Sequence, residues 1–360
     1  MSDSLRDLGW NYFFAKQLQD YPESDVIPAR VLVQQKTKFI VATEAGEFHA
    51  KVTGRLRFQS GRQAEFPVVG DWVVFRPTSG EQTGSIVAVL QRRTSFSRRA
   101  AGREEIEQVV AANIDVVFLV TGLDENYSLR RIERYLAVAL HSGAQPIIVL
   151  NKVDLCHDID STVREVRRVS GGTPIFLTNA RSGAGVDALR GHLAPGVTAA
   201  FLGSSGVGKS TLINSLLGHE KFKTAEVRED DSRGRHTTTH RELVTLPSGG
   251  NLVDTPGMRE IQLWGTEEEV EEAFDDIAEL AKQCKFRDCR HDREPGCAVL
   301  NAVEDGTLDP GRLESHRKLQ REAEHQKRRS NVRAQLEQKQ KDKRLTKMIR
   351  LYKRTDKRKR

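Results

Sequence analysis

Residues 203–210 read Gly-Ser-Ser-Gly-Val-Gly-Lys-Ser, between the apolar run TAAFL and the helical pattern STLINSLL. A glycine-rich turn that leaves a strand and opens a helix curls successive backbone N–H groups into a cradle for an anion. The helix N-terminus adds a favourable dipole. Lys209 brings a point charge to the β- and γ-phosphates of a nucleotide, and Ser210 offers a hydroxyl to Mg²⁺. Such a cradle sits at the carboxyl end of a buried strand, so the surrounding chain has to supply an open α/β sheet. After residue 106 it does so. IDVVFLVT, PIIVLNKVD, PIFLTNA, TAAFLGSSG, RELVTL and GNLVDTPG are strand-like runs, with helical patterns at 129–141, 159–169, 186–192 and 209–217 between most of them. This alternation predicts a doubly wound, largely parallel sheet.

Asn151-Lys152-Val153-Asp154 follows the run PIIVL. At the end of a buried parallel strand, Asp154 can accept from both N1–H and N2–H₂ of guanine, whereas adenine has no matching donors. Asn151 can serve the N7 side and tether the phosphate loop, and the Lys152 stem can lie on the base. A pocket built on such bonds rejects a base lacking them by about 10⁴ or more. Thr178-Asn179-Ala180 ends the next strand and offers a backbone N–H to guanine O6. Asp254-Thr-Pro-Gly257 ends another. There Asp254 is placed to hold Mg²⁺ through water, and the Gly257 N–H to face the γ-phosphate. Between lies Gly234-Arg-His236-Thr237-Thr238-Thr239-His240, one of whose threonines, taken as Thr238, completes the Mg²⁺ shell. The nucleotide set is thus Asn151, Lys152, Val153, Asp154, Thr178, Asn179, Ala180, Gly203, Ser204, Ser205, Gly206, Val207, Gly208, Lys209, Ser210, Thr211, Asp254 and Gly257, with Ser210, Thr238 and Asp254 around Mg²⁺.

The order of these elements is unusual. GTPases ordinarily run from phosphate loop through switch Thr and DxxG to NKxD and the Ser/Thr-Ala element; here NKVD and TNA come first. That is a circular permutation, with the ordinary ends joined near 193–198. Joining them is tolerable because domain termini often lie close together at the surface. Residue 258 is Met, where Ras-like enzymes carry the Gln that orients the attacking water. His236 or His240 is offered for that task, as is a group of a partner. Intrinsic turnover is therefore expected to be slow, on the order of 10⁻⁴–10⁻² s⁻¹.

The 360 residues predict two or three domains, and a hydrophobic class of 38% excludes wholesale disorder. No run approaches the ~18 apolar residues of a membrane span, and the N-terminus lacks a basic-then-apolar leader pattern. With only 4 Cys, a reducing cytoplasm is expected. The net charge of +7 conceals an asymmetry: residues 317–360 hold 19 Lys+Arg against 5 Asp+Glu, residues 30–100 hold 12 against 5, and residues 101–316 hold 24 against 35. A polyanion would be held by the basic flanks, 92–99 and the tail among them.

Five runs between residues 30 and 90 (ARVLVQ, KFIVAT, EFHAKVTGRLRF, DWVVFRP, GSIVAVL) predict a small barrel, OB-type or SH3-like, with OB preferred. Residues 8–18 carry a short amphipathic pattern, and Thr266-Glu-Glu-Glu269 opens a helix to about residue 281. Cys284-x₄-Cys289-x-His291-x₅-Cys297 gathers three thiols and an imidazole within 14 residues. That set suits a closed, tetrahedral, structural Zn²⁺ site. Cys156 stands apart as an ordinary thiol.

A barrel, a permuted GTPase domain and this Cys/His module together resemble the ribosome small-subunit-dependent GTPase A family, over residues 30–300. The resemblance implies an OB barrel (30–105), a P-loop GTPase domain (106–262) and an α-helical zinc module (263–310); the sequence adds an N-terminal extension (1–29) and a basic helical tail (311–360) longer than that pattern needs. It implies a monomer that hydrolyses GTP to GDP under stimulation by the 30S subunit, binds 16S rRNA and acts late in 30S maturation. Three other readings are weighed against it. NKVD opposes a DNA-handling P-loop ATPase, motif order opposes a tRNA-modifying GTPase, and turnover with 30S subunits separates an enzyme from a non-enzymatic switch.

Overall fold

The N-terminal β-rich runs form β1 (Ile27–Gln35), β2 (Lys38–Thr43), β3 (Gly46–Val52), β4 (Trp72–Pro77) and β5 (Thr83–Val89). The computed structural model describes residues 3–35, 37–59, 66–99, 107–125, 127–222, 241–254 and 274–321. Strand order is β1-β2-β3-β5-β4, and β4 pairs back onto β1, so the sheet closes into a barrel. Side chains alternating inward fill it: Val31, Phe39, Val41, Val73, Phe75 and Ile86 are all buried. The run 47–58 is not one strand. Thr53 ends it: its hydroxyl accepts from the Leu56 N–H and its carbonyl from Arg57, capping a short helix at Gly54–Gln59.

Of the 8–18 pattern only Tyr12–Leu18 is helical; a separate helix, Asp3–Asp7, precedes it, and Gly9 lies between the two. Gly9 has φ +90°, and a Cβ there would lie 2.7 Å from the Gly196 carbonyl oxygen. The second helix seats Phe14 beside Trp10 and Trp72, whose rings pack edge to face at 4.7 Å. Gly196 N–H and Asn251 Nδ2 both donate to the Asp7 carbonyl. The N-terminal segment therefore fastens onto the loop where the permuted ends are joined. Arg30, buried, donates to Leu8 O and Asn113 O and lies over Trp72. Burial lowers its guanidinium to about 10, against the opposing pull of Asp115 and Asp71.

Two further strands, β6 (Ser95–Arg99) and β7 (Glu107–Ala112), pair antiparallel. The basic run 92–99 is expected as a polyanion-facing patch, and its first residue is engaged elsewhere. Arg92 grips Asp71 through Nε and Nη2 at 2.8 Å each, and Asp71 is fully buried. Arg92 is thus part of the internal framework.

The α/β sheet contains β8 (Val116–Gly122), β9 (Gln145–Asn151), β10 (Ile175–Thr178), β11 (Thr198–Leu202), β12 (Arg241–Thr245) and β13 (Asn251–Asp254). Its order is β10-β9-β8-β11-β13-β12; all neighbours are parallel except β12 with β13. β8 and β11 are buried at every position, as strands covered on both faces must be. β1 carries the sheet onward: residues 27–30 close the barrel against β4, while Val33 and Gln34 pair with β12. A register shift between Val31 and Val33 marks the change of partner. Barrel and α/β sheet are hydrogen-bonded into one run of eleven strands.

Contacts divide the chain into units 1–263 and 264–360. In the second, helices Asp275–Ala281 and Ala298–Glu304 and a helix from residue 310 to 321 surround buried Phe274, Ile277 and Val299. Arg312 clamps Asp276 through two bonds of 2.6 and 2.7 Å. No helix among the described residues is long and apolar enough to cross a membrane.

Candidate functional site

β8 and β11 are parallel neighbours, and the chain goes from β8 to β9 on one side and from β11 to β12 on the other. A crevice forms at such a switch point, beyond the carboxyl ends of the strands. The glycine-rich loop 203–208 lies there. Lys209 begins the helix Lys209–Leu217, and its ammonium donates to the carbonyls of Gly203 (2.7 Å) and Ser204 (2.6 Å), so it is held across its own loop.

Asn151, at the end of β9, joins three separate segments. Its Nδ2 donates to Val207 O in the loop at 2.8 Å. Its Oδ1 accepts from Thr178 Oγ1 at 3.1 Å and from Ala180 N–H at 3.0 Å. The residue is 1% exposed, so these bonds form where their loss would be costly. Gly208 has φ +98°, and a Cβ there would stand 2.3 Å from Asn151 Nδ2. Only glycine lets the loop approach the asparagine. Asn179 closes the turn beyond β10: its Oδ1 accepts from the N–H groups of Arg181 and Ser182.

Past Asn151 the chain bends through Lys152, in the left-handed region at φ 62°, into a short 3₁₀ turn at Val153–Leu155. Asp154 lies exposed on this turn. Its carboxylate makes no hydrogen bond or ion pair among the described residues. The asparagine is thus engaged inward while the aspartate faces out.

Two contacts lie outside every motif read from the sequence. Lys152 Nζ is 2.6 Å from Asp124 Oδ2, and Arg131 Nη1 is 3.2 Å from Ser204 Oγ. Asp124 comes from the connection after β8, and Arg131 from the first turn of the helix Leu129–Ser142 that follows it. Asp124-Glu-Asn-Tyr-Ser128 matches no nucleotide motif, and only the fold brings it near. Ser205, Gly206, Ser210 and Thr211 lie on the loop and the first helical turn, and Asp254 ends β13 opposite Glu242. His236, Thr238, His240 and Gly257 lie outside the described residues, as does the 266–273 stretch expected to open a helix.

In the second unit Cys284, Cys289, His291 and Cys297 place one ligand atom each within 4.8 Å of the others. Cys284 and Cys297 sulfurs are 3.8 Å apart; His291 Nδ1 lies 3.6 and 3.4 Å from them. Bonds of about 2.3 Å to sulfur and 2.0–2.1 Å to nitrogen give tetrahedral edges of about 3.8 and 3.6 Å. The cluster therefore fits one ion at its centre. Burial, with neighbouring thiols adding to it, raises the Cys289 thiol to about 12. Burial also acts to raise Cys284, but backbone N–H groups of Val299 and Ala298 and the adjacent thiols bring it below its ordinary value. Burial lowers His291, keeping the imidazole neutral as a ligand must be. Arg317 donates to the His291 carbonyl, and Cys297 Sγ caps the helix that follows by accepting from Leu300 N–H.

The fold and this crevice define a circularly permuted P-loop GTPase. A family model described as RsgA GTPase matches residues 89–264. One described as ABC transporter matches 186–360, a span that includes the phosphate loop common to both classes. The small ribosomal subunit biogenesis GTPase RsgA of Opitutus terrae is 50% identical over 335 residues, covering 91% of each chain. YjeQ from Thermotoga maritima superposes with a TM-score of 0.65 at 30% identity, over 83% of this chain and 98% of that one. YloQ, titled a circularly permuted GTPase, gives 0.61 at 25% identity, over 85% and 97%. The chain belongs to the RsgA GTPase family and is a GTP-hydrolysing enzyme.

Proposed function

We propose that this GTPase acts in late maturation of the small ribosomal subunit, binding 16S rRNA and turning over GTP fastest when the subunit is present. The observation that carries the nucleotide part is Asn151: one buried side chain holds the phosphate loop, Thr178 and Ala180 in a fixed relation, with Asp154 left open beside them. Asp154 then accepts from guanine N1–H and N2–H₂, and Asn151 keeps its second Nδ2 hydrogen for N7. Ala180 N–H is shared between Asn151 and O6, with Thr178 and Asn179 shaping that turn. Val153 and the Lys152 stem flank the base.

The phosphates lie in the cradle of Gly203, Ser204, Ser205, Gly206, Val207 and Gly208, at the helix start formed by Lys209, Ser210 and Thr211. There Lys209 exchanges its bonds to loop carbonyls for phosphate oxygens. Ser210, Asp254 and Thr238 would hold Mg²⁺, which supplies charge neutralisation when bound; Gly257 N–H would face the γ-phosphate. Water attacks the γ-phosphorus and the bond to the β-γ bridging oxygen breaks, giving GDP and phosphate. With Met at 258, the water is oriented by His236, by His240 or by the ribosomal partner.

The five-stranded closed barrel, with its helix between β3 and β4, supports an OB-type reading and an RNA-facing role. Cys284, Cys289, His291 and Cys297 would take Zn²⁺ in a closed structural site. The protein is read as a cytoplasmic monomer. The test is co-sedimentation with 30S, 50S and 70S particles in GDP and in a non-hydrolysable GTP analogue, with GTP turnover measured alongside. Selective 30S binding in the analogue and faster turnover with 30S are expected. Equal turnover with and without subunits would overturn the ribosomal reading.

A further inference from the structure

The connection that leaves β8 carries an acidic residue into the base side of the crevice. Leu123 N–H donates to Asn151 O at 2.8 Å, which fixes the connection's backbone against the Asn-Lys-Val-Asp turn. One residue on, the Asp124 carboxylate meets the Lys152 ammonium at 2.6 Å, with the two side chains only 18% and 23% exposed. Tyr127 N–H donates to the Asp124 carbonyl and closes the turn around it. Gly122 supplies the room: a Cβ there would come within 3.2 Å of the Asp124 carboxylate. Lys152 itself is held at φ 62°, a backbone region an L-residue occupies only when its surroundings enforce it.

We propose that Asp124 is a positioning residue for guanine-nucleotide binding, acting through Lys152. This rests on the nucleotide reading of Asn151–Asp154 given above. A lysine whose ammonium is free would sweep its stem through many rotamers and draw solvent over the base. Fixed at its tip by a half-buried carboxylate, the stem becomes a still, apolar wall, and the charge is neutralised where water is scarce. What the base meets is then methylene surface. The ammonium serves as the anchor of that surface, and Asp124 as its mooring. Neither base recognition by Asp154 nor phosphate binding by Lys209 involves the pair directly, so its contribution lies in nucleotide residence rather than in the chemical step.

The experiment uses the full chain and fluorescent N-methylanthraniloyl-GDP, comparing wild type, D124N, K152M and the neutral pair D124N/K152M by equilibrium titration and stopped-flow release. D124N leaves the ammonium without its anion, and Kd should rise about tenfold, carried by faster release. The neutral pair keeps both shapes and removes both charges, and Kd should return to within about threefold of wild type. Turnover at saturating GTP should change less than Kd in D124N. An unchanged Kd in D124N, or a neutral pair no tighter than D124N alone, overturns the proposal. Should D124N prove too unstable to titrate, K152M decides: binding that requires the ammonium itself would also overturn it. Failure of the wild type to bind the probe would instead overturn the nucleotide reading.

Discussion

The nucleotide crevice and the Cys/His cluster are built on opposite plans. The crevice gathers residues 124, 151, 178, 180 and 207 from four separate stretches, and neutral hydrogen bonds to Asn151 hold its centre. The cluster gathers four ligands from 14 consecutive residues, with one ligand atom from each within 4.8 Å of the others. Burial, with the neighbouring thiols adding to it, holds the Cys289 thiol high, and a cation at the centre would offset that cost. The first site is a consequence of the sheet; the second is a set of ligands close enough to share one ion.

Removing metal breaks this comparison most sharply. Structural zinc contributes about 10–16 kcal/mol of apparent binding free energy at neutral pH in small modules. Chelation, or Cys297→Ala, should therefore unfold the 274–321 region, read as rapid proteolysis there and loss of one bound ion by native mass spectrometry. GDP affinity should stay within about twofold. Asn151→Ala tests the other plan. It strips partners from Val207 O, Thr178 Oγ1 and Ala180 N–H, at about 1–3 kcal/mol for each group left unsatisfied. GDP binding should weaken at least a hundredfold while the content of bound metal stays unchanged.

Gly208→Ala should resemble a weaker Asn151→Ala. Strain at φ +98° costs about 1–3 kcal/mol, and the methyl would push Asn151 off Val207. The double variant should then lose less than the sum of the two, and strict additivity of the GDP affinities would argue against the tether. Arg317→Ala gives the smallest effect. It removes a donor from the His291 carbonyl without touching a ligand, so metal should exchange into a chelator several-fold faster with no change in stoichiometry.

How far the sequence could be read follows the same division. The cluster was legible because its ligands are neighbours in the chain. The α/β strands were legible because fully buried strands such as β8 and β11 are continuous apolar runs. The permuted order could be read from motif sequence alone, because each motif is local even though the site is not. What escaped was non-local. Arg92 looks like a member of a basic patch until Asp71, 21 residues earlier, is brought against it. The helix expected from residue 8 begins only at Tyr12, because Gly9 is in the left-handed region and packs against Gly196, far along the chain. Asp124 carries no motif, and only the pairing of β8 with β9 delivers it to Lys152. β6 and β7 were missed for the same reason, each being a strand only by virtue of the other.

These differences bear on RNA binding too. Arg92 and Arg93 adjoin, yet Arg92→Ala takes the ion-pair partner from buried Asp71, which keeps the Val68 N–H, at about 3–5 kcal/mol of stability. Arg93, whose side chain is half exposed beside Asp115, should lower 30S affinity on substitution with little change in melting temperature.

The claim beneath the whole account is that Asp154 and Lys209 grip two ends of one guanine nucleotide, and a base-exchange titration tests it most directly. Asparagine at position 154 presents a donor where aspartate accepts, matching the carbonyl that xanthine carries at C2. Asp154→Asn should therefore prefer xanthosine diphosphate over GDP, where the wild type prefers GDP by about 10⁴, and Lys209→Ala should weaken both diphosphates alike. A wild-type chain indifferent to the base, or an Asp154→Asn variant that still selects guanine, would contradict it.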